Sequence, residues 1–317
     1  MRAIVLGGAG FIGSYLVPKL QEKFEVVIFD KKAQPPGQSF HSYIQGNICD
    51  KGALEHACRG ADLIYNLAAE HHDNVRPVSR YAEVNVEGSR NVCEAASRNG
   101  IRRIVFTSSV AIYGAQEVAM REDAAHDYFN EYGRTKHLAE IEYEKWLQSD
   151  PESQITIVRP TVVFGPGNRG NVYNFLYQLK FGPFLMLGAG HNVKSMAHVE
   201  NIATFLAFLA DRPERHGVYN YADKPDFSVR DLVRFVDVTL GRADRYRPYL
   251  PAMLGIAGGH LADIVSSLSS KQLPVSAVRV RKFCASSEIN AERAMNSGFT
   301  PPQSLKEGLR EMVMKHI

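Results

Sequence analysis

Five short apolar runs punctuate the first half of the chain, at residues 4–6, 26–29, 63–67, 104–107 and 155–158, with amphipathic helical patterns between them. Runs so short and so uniformly apolar suit strands buried on both faces of a parallel sheet. Their alternation with helices predicts a doubly wound α/β fold. Residues 83–99 read as one helix, with Val84, Val86, Val92, Cys93 and Ala96 on its apolar side and Gly100 where a C-terminal glycine is expected. Residues 128–147 read as a second long helix. After Pro160 the texture changes, because Gly165, Pro166, Gly167, Gly170, Gly182, Pro183, Gly188 and Gly190 interrupt short apolar pieces. This sets a soft boundary near residue 165. Residues 1–165 form the main domain, and residues 166–317 form mainly a smaller C-terminal cap that still sends segments back to the main sheet.

The first strand and the helix behind it are joined by a glycine turn. In MRAIVLGGAGFIG the glycines are Gly7, Gly10 and Gly13, and Phe11, Ile12, Leu16 and Leu20 recur at helical spacing behind them. A chain that turns tightly to lay its backbone on a pyrophosphate needs glycine, since a Cβ blocks both the left-handed turn and the approach of the phosphates. The N–H groups of the new helix then attract the anion. The GxxGxxG spacing departs from the commoner GxGxxG. The second strand ends on Asp30, where a carboxylate can accept both hydroxyl protons of an adenosine ribose. A Rossmann-type NAD site is the expectation, and Lys31 and Lys32 leave NADP open.

Bulk composition narrows the classes. The 317 residues are 45% hydrophobic and 22% charged, which is ordinary for a globular protein. The net charge of +3 comes from scattered Lys and Arg without the dense basic face of a nucleic-acid binder. Cys49, Cys58, Cys93 and Cys284 form no CxxC and have no metal-ligand spacing, so no metal is expected and the thiols suit a reducing cytoplasm. Residues 249–270 are moderately apolar but broken by Pro251, Gly255, Gly258, Gly259, His260 and Asp263, too interrupted for a membrane span. An amphipathic reading of this stretch allows peripheral membrane contact without requiring it.

The chemistry enters with Tyr132-Gly133-Arg134-Thr135-Lys136 on the second long helix, preceded by Thr107-Ser108-Ser109 at a strand end. Residues four apart share a helix face, so Tyr132 and Lys136 can point at one site. A phenol near pKa 10 is a poor base at neutral pH, but a neighbouring ammonium and an oxidised nicotinamide favour its phenolate. Ser109 can then hold a substrate oxygen while Tyr132 takes or returns its proton.

In order and spacing these motifs resemble those of the extended short-chain dehydrogenases/reductases of the NAD-dependent epimerase/dehydratase family, over nearly the whole chain. GGAGFIG resembles the family's cofactor turn. Gly46-Asn47-Ile48-Cys49-Asp50 resembles its adenine-contacting strand end, with Asn47 in place of the usual Asp. Leu67-Ala68-Ala69 resembles the stretch beside the nicotinamide, and Asn85-Val86-Glu87-Gly88 the helix whose Asn supports the catalytic set. The segment from Thr107 to Gly114 makes Ser109 the catalytic hydroxyl, and Arg159 to Gly167, with Pro160, resembles the strand and loop that close the nicotinamide pocket. The resemblance also implies diphosphate contacts from Asn171, Lys194 and one of Arg279 or Arg281. Glu70, His71, His72 and Asp73 form a polar cluster whose adjacent side chains diverge and lack metal spacing, so a solvated loop is the default reading, and His71 is the one that would reach cofactor or substrate. Residues 290–302 resemble the family's closing segment.

Departures from the family pattern select among its reactions. Val110 and Ala111 stand where sugar 4,6-dehydratases carry an Asp-Glu pair, and no Cys lies near the turn as in epimerase-reductases acting at carbons 3 and 5. The resemblance therefore implies NAD-dependent 4-epimerisation of a UDP-hexose or UDP-N-acetylhexosamine. The alternatives are an NADPH-dependent nucleotide-4-keto-sugar reductase or a hydroxysteroid- or flavonol-type alcohol dehydrogenase, since Val162 replaces the Asn of UDP-galactose 4-epimerases. A non-catalytic cofactor sensor is disfavoured by the intact Ser109, Tyr132 and Lys136. A homodimer is expected through the helices that carry Asn85 and Tyr132, with Tyr81, Ile141, Trp146 and Leu147 either interfacial or core.

Overall fold

The computed structural model of the protein describes residues 1–34, 42–72, 75–114, 119–212, 214–243, 245, 247–258, 260, 280 and 283–317. Six strands follow in chain order, β1 (Arg2–Leu6), β2 (Glu25–Asp30), β3 (Tyr43–Gln45), β4 (Leu63–Asn66), β5 (Arg103–Thr107) and β6 (Gln154–Pro160), and a later strand, His216–Tyr221, joins them. They form one seven-stranded sheet in the order 216–221, β6, β5, β4, β1, β2, β3, parallel throughout. The order reverses between β1 and β4, so a crevice opens at their C-terminal ends, where ligands of such sheets bind.

The uniform apolar runs reflect burial on both faces. In β1, Ile4 and Leu6 pack toward α2 (Lys51–Ala57), α4 (Gly88–Arg98) and α5 (Glu131–Ser149), while Ala3 and Val5 pack toward α1 (Phe11–Gln21) and α7 (Val199–Phe208). The two-residue period of a strand supplies both cores at once. A third core joins α6 (Asn171–Phe181), α8 (Val229–Thr239) and the helix Leu305–Glu311 through Leu176, Leu179, Val233, Val236 and Leu309. This is the cap.

The helix expected at 83–99 is compound. It opens with α3 (Ser79–Tyr81), widens into a π-helical stretch at Ala82–Glu87 that carries Asn85, and continues as α4. Gly100 follows at φ +66°. The second long helix starts at Glu131, three residues later than expected, because the Asn130 side chain accepts the Gly133 N–H at 2.9 Å and caps it. Tyr81, Trp146 and Leu147 are buried within the chain itself. Among the described residues no helix is long and apolar enough to cross a membrane.

Candidate active site

The glycine turn is built by close approach. Gly7 has φ +77°, and a Cβ there would lie 2.8 Å from the Ala68 nitrogen. A Cβ on Gly13 would lie 2.5 Å from the Gly8 oxygen. Glycine at these two positions lets α1 start directly over β1 and against Leu67-Ala68-Ala69. Leu67 N donates to Leu6 O at 2.9 Å, and Ala68 N to Asn66 Oδ1 at 3.1 Å, so this stretch runs beside the turn. Gly10 precedes α1, and no described side chain caps the helix, which leaves its first N–H groups for an anion. Phe11 and Ile12, the first helical residues, are half-buried.

Asp30 ends β2 buried beside this turn, with one carboxylate oxygen accepting from Ala9 N at 3.0 Å and the other from Lys32 N at 2.9 Å. Each oxygen keeps a lone pair for a hydroxyl donor. Lys31 is exposed, with Nζ 4.0 Å from Glu70. Asn47 is exposed and accepts from Cys49 N at 3.1 Å, while Ile48 is buried and its carbonyl accepts from Asn91 at 3.1 Å. Pro160 is buried at the end of β6. Near the same strand ends, the hydroxyls of Thr107, Ser108 and Thr161 are buried without a hydrogen-bond partner among the described residues. Buried polar atoms are normally satisfied, so these orphans and the uncapped helix fit a polar, anionic dinucleotide.

The three residues expected to carry the chemistry converge from two elements. Ser109 follows β5 and caps the 3₁₀ turn Val110–Tyr113, its Oγ accepting from Ala111 N at 3.1 Å. Tyr132 and Lys136 lie one turn apart on α5. Between them Gly133 lets α5 press onto that turn, since a Cβ would stand 2.3 Å from the Ala111 oxygen. The approach sets the Tyr132 phenol beside the Ser109 hydroxyl. Burial pushes the phenol up to about 12, and the Ser109 hydrogen bond works the other way. Lys136 is buried, donates to Thr107 O at 2.7 Å and sits 4.5 Å from the Phe106 ring centre. Burial draws its ammonium down to about 7 against the opposing charge of Glu140. Burial thus disfavours charge on both groups, and a positive ring placed beside them would favour the phenolate.

Asn85 works as a cross-tie. Its Oδ1 accepts from Glu70 N at 2.8 Å, and its Nδ2 donates to Glu70 O and Thr135 Oγ1, both at 3.0 Å. The loop after β4 is thereby fixed to α5. Glu70 itself is buried; burial raises its carboxyl, but the hydrogen bond from His72 and the Lys31 charge override this and leave it below its ordinary value. Two residues of the scaffold escaped the sequence reading, Glu140 and Thr135. Tyr132, Lys136 and Glu140 recur at four-residue spacing on α5, a period that could have pointed to Glu140.

The residues expected to meet substrate are less gathered. Asn171 is the first residue of α6 and is exposed, behind a helix start that no described side chain caps. Lys194 Nζ donates to the Ala285 carbonyl, and burial lowers its ammonium to about 8. His71 is exposed and stacks on His72, ring centres 4.4 Å apart. Arg279, Arg281 and Asp73 lie outside the described residues.

Residues 3–222 match the NAD dependent epimerase/dehydratase family. The chain is 42% identical over 314 residues to the N-acetyl-α-D-glucosaminyl-diphospho-ditrans,octacis-undecaprenol 4-epimerase of Escherichia coli O157:H7, covering 97% of this chain and 93% of that one. In fold it is similar to the UDP-glucose 4-epimerase of Thermotoga maritima solved with UDP-glucose, at TM-score 0.76 and 22% identity over 99% of this chain and 97% of that one. It is likewise similar to the UDP-glucose 4-epimerase of Thermus thermophilus in complex with NAD, at TM-score 0.73 and 23% identity over 99% and 98%. The chain belongs to the NAD-dependent epimerase/dehydratase family.

Proposed function

We propose that the protein is an NAD-dependent 4-epimerase of an N-acetylhexosamine held through a diphosphate, with a polyprenol as the carrier. What supports this most is that the Ser109, Tyr132 and Lys136 site stands in a chain 42% identical, along 97% of its length, to an undecaprenyl-diphosphate-linked N-acetylglucosamine 4-epimerase. The coarser reading as a 4-epimerase of a diphosphate-linked sugar is the one the motifs imply. The choice of a lipid over uridine rests on that relative.

NAD would lie along Gly7, Gly10, Phe11, Ile12 and Gly13, with Asp30 and Lys31 at the adenosine ribose, Asn47 and Ile48 at the adenine, and Leu67, Ala68, Ala69 and Pro160 around the nicotinamide. When bound it supplies the acceptor and the donor of the hydride at C4. Tyr132 takes the O4 proton and later returns it, a step of general acid/base catalysis. Ser109 holds O4 through the same hydroxyl that already meets Tyr132. Lys136 positions the phenol and favours its charged form, and Asn85 keeps α5 in register with the loop after β4. Inversion requires the 4-keto sugar to turn its other face toward the same groups. The diphosphate would lie at the open start of α6 near Asn171, with Lys194 and Arg279 or Arg281 contributing, and His71 would reach cofactor or substrate. In this reading residues 1–165 carry the cofactor, residues 166–317 mainly the sugar and its carrier, and two copies pair through the long helices that carry Asn85 and Tyr132.

The test is to purify the protein, measure its NAD content, and offer N-acetylglucosamine on undecaprenyl diphosphate or on UDP. Interconversion of the lipid-linked N-acetylglucosamine and N-acetylgalactosamine without net nicotinamide absorbance change is expected. Turnover of the UDP-sugar alone would overturn the lipid carrier, and net NADPH consumption with a keto-sugar would overturn epimerisation.

A further inference from the structure

The cap turns a set of large apolar side chains outward around the C-terminal end of α6. Along α6, Tyr173, Tyr177 and Phe181 follow at four-residue spacing, with successive ring centres 6.1 and 5.0 Å apart, and Phe181 is 61% exposed. Leu185 is exposed just before the strand Met186–Leu187, which pairs with Tyr249–Leu250, so exposed Tyr249 lies beside it. A helical stretch at 252–258 follows, where Met253 is 82% exposed and Leu254 58%. Backbone and side-chain bonds hold these pieces together: Arg247 donates to Leu179 O at 3.0 Å, Arg242 to Lys180 O at 2.9 Å, and Met186 N to Pro248 O at 2.9 Å. The inner sides of the same elements, Leu176, Leu179, Phe184 and Met186, are core. Tyr177, Phe181, Leu185, Tyr249, Met253 and Leu254 are therefore an addition to the fold rather than part of its packing, and large exposed apolar side chains on elements so linked mark an interaction site.

Its charge says what it meets. No Asp or Glu occurs from Ser153 to Val199, the stretch that contains α6 and the strand after it. Asp237, at the end of α8, is neutralised by Arg247 at 3.0 and 2.6 Å. Arg234, Arg242 and Arg245 are exposed and have no ion-pair partner among the described residues; Arg234 and exposed Val238 lie on α8, and Arg242 lies just beyond its end. Aromatic and aliphatic side chains rimmed by arginines that have no ion-pair partner among the described residues match an interface of acyl chains and anionic headgroups. A second copy of the chain would bring arginine against arginine.

We propose that this face of the cap docks the protein peripherally on an anionic phospholipid bilayer, with Phe181, Tyr249, Met253 and Leu254 entering the interface and Arg234, Arg242 and Arg245 meeting lipid phosphates. The inference rests on the reading of a lipid-linked substrate, which such docking would bring within reach of the site.

The full protein is floated with vesicles of phosphatidylcholine alone or with about a third phosphatidylglycerol, at low and high salt. The wild type floats with the anionic vesicles at low salt, and Phe181→Glu combined with Met253→Glu lowers the bound fraction by about tenfold or more. The double variant keeps wild-type NAD content and wild-type turnover of detergent-dispersed substrate. A wild type that stays with the soluble fraction, or a double variant that floats as well as the wild type, overturns the proposal. So does a wild-type dimer that the double variant splits in the absence of lipid. Flotation by a protein that epimerises only the UDP-sugar would support the docking face and defeat the lipid carrier. Turnover of the polyprenyl substrate in detergent without flotation would do the reverse.

Discussion

Glu140 grips Arg159 through both carboxylate oxygens, at 3.0 and 2.6 Å, with both side chains buried. Glu140 lies one helical turn beyond Lys136 on α5, and Arg159 also donates to the Tyr113 hydroxyl at 2.6 Å and the Glu122 carbonyl at 2.8 Å. Tyr113 closes the turn that Ser109 opens, and its hydroxyl donates to Asn220 at 2.8 Å in the strand His216–Tyr221. The pair thus clamps the helix of Tyr132 and Lys136 to the turn of Ser109 and to the sheet edge. Removing one member of a buried pair leaves the other charge uncompensated. Glu140→Ala is expected to cost about 3–5 kcal/mol of stability, with Glu140→Gln costing less because hydrogen bonds to Arg159 survive. Urea midpoints check this, and an unshifted midpoint for Glu140→Ala would show that the clamp carries no stability.

Tyr132→Phe separates chemistry from architecture. The ring keeps its place on α5 and only the hydroxyl facing Ser109 is lost. Turnover is expected to fall by roughly 10²–10⁴, the range for loss of a positioned acid/base. NAD content and melting temperature should hold at wild-type values. Full activity in this variant would remove Tyr132 from the proton path.

Gly7→Ala tests the turn. The residue sits at φ +77°, and the added Cβ would meet the Ala68 backbone at 2.8 Å, where no flexible side chain can yield. Strain of this kind costs about 1–3 kcal/mol, and relief must push Leu67-Ala68-Ala69 away from the helix start. At Gly10 the nearest atom to a Cβ is the Gly7 oxygen at 3.0 Å, a milder conflict. Gly7→Ala is therefore expected to lose most of its co-purifying NAD and several degrees of melting temperature, and Gly10→Ala less of the latter. Equal NAD content in Gly7→Ala and wild type would contradict the cradle.

Much of the fold and of the site is legible in the sequence. Strands β1, β2, β4, β5 and β6 announce themselves because burial on both faces demands an unbroken apolar run, and Tyr132 and Lys136 do so because a helix face has a fixed period. The strand His216–Tyr221 was silent. Its sequence, HGVYNY, is half polar, and Asn220 is buried there because partners distant in sequence, Tyr113, Met120 and Asn290, satisfy it. The wide turn at Asn85 has no apolar period to betray it either. Lys194 meets the Ala285 carbonyl, 91 residues away in sequence, a contact that no local pattern foretells. What stayed illegible in each case is a tertiary partnership, which local periodicity does not encode.

A buried carboxyl at the C-terminal end of the strand His216–Tyr221 ties stability to pH. Asp223 follows the strand His216–Tyr221, accepts from His198 N at 2.6 Å and from the Tyr221 hydroxyl at 3.2 Å, and is 2% exposed. Burial raises it from 3.8 to about 6, more than the hydrogen bond from the His198 backbone lowers it. The fold therefore binds this proton more tightly than the unfolded chain does. The group's stabilising contribution is complete below about pH 4 and is lost as pH rises through about 6, a change of about 3 kcal/mol. Asp223→Asn keeps an oxygen for the His198 N–H and cannot titrate, so its stability relative to wild type should improve by that order between pH 4 and pH 7. Urea midpoints taken across that interval measure the difference directly. A wild-type-to-variant gap that stays flat with pH would mean that Asp223 titrates as it does in the unfolded chain.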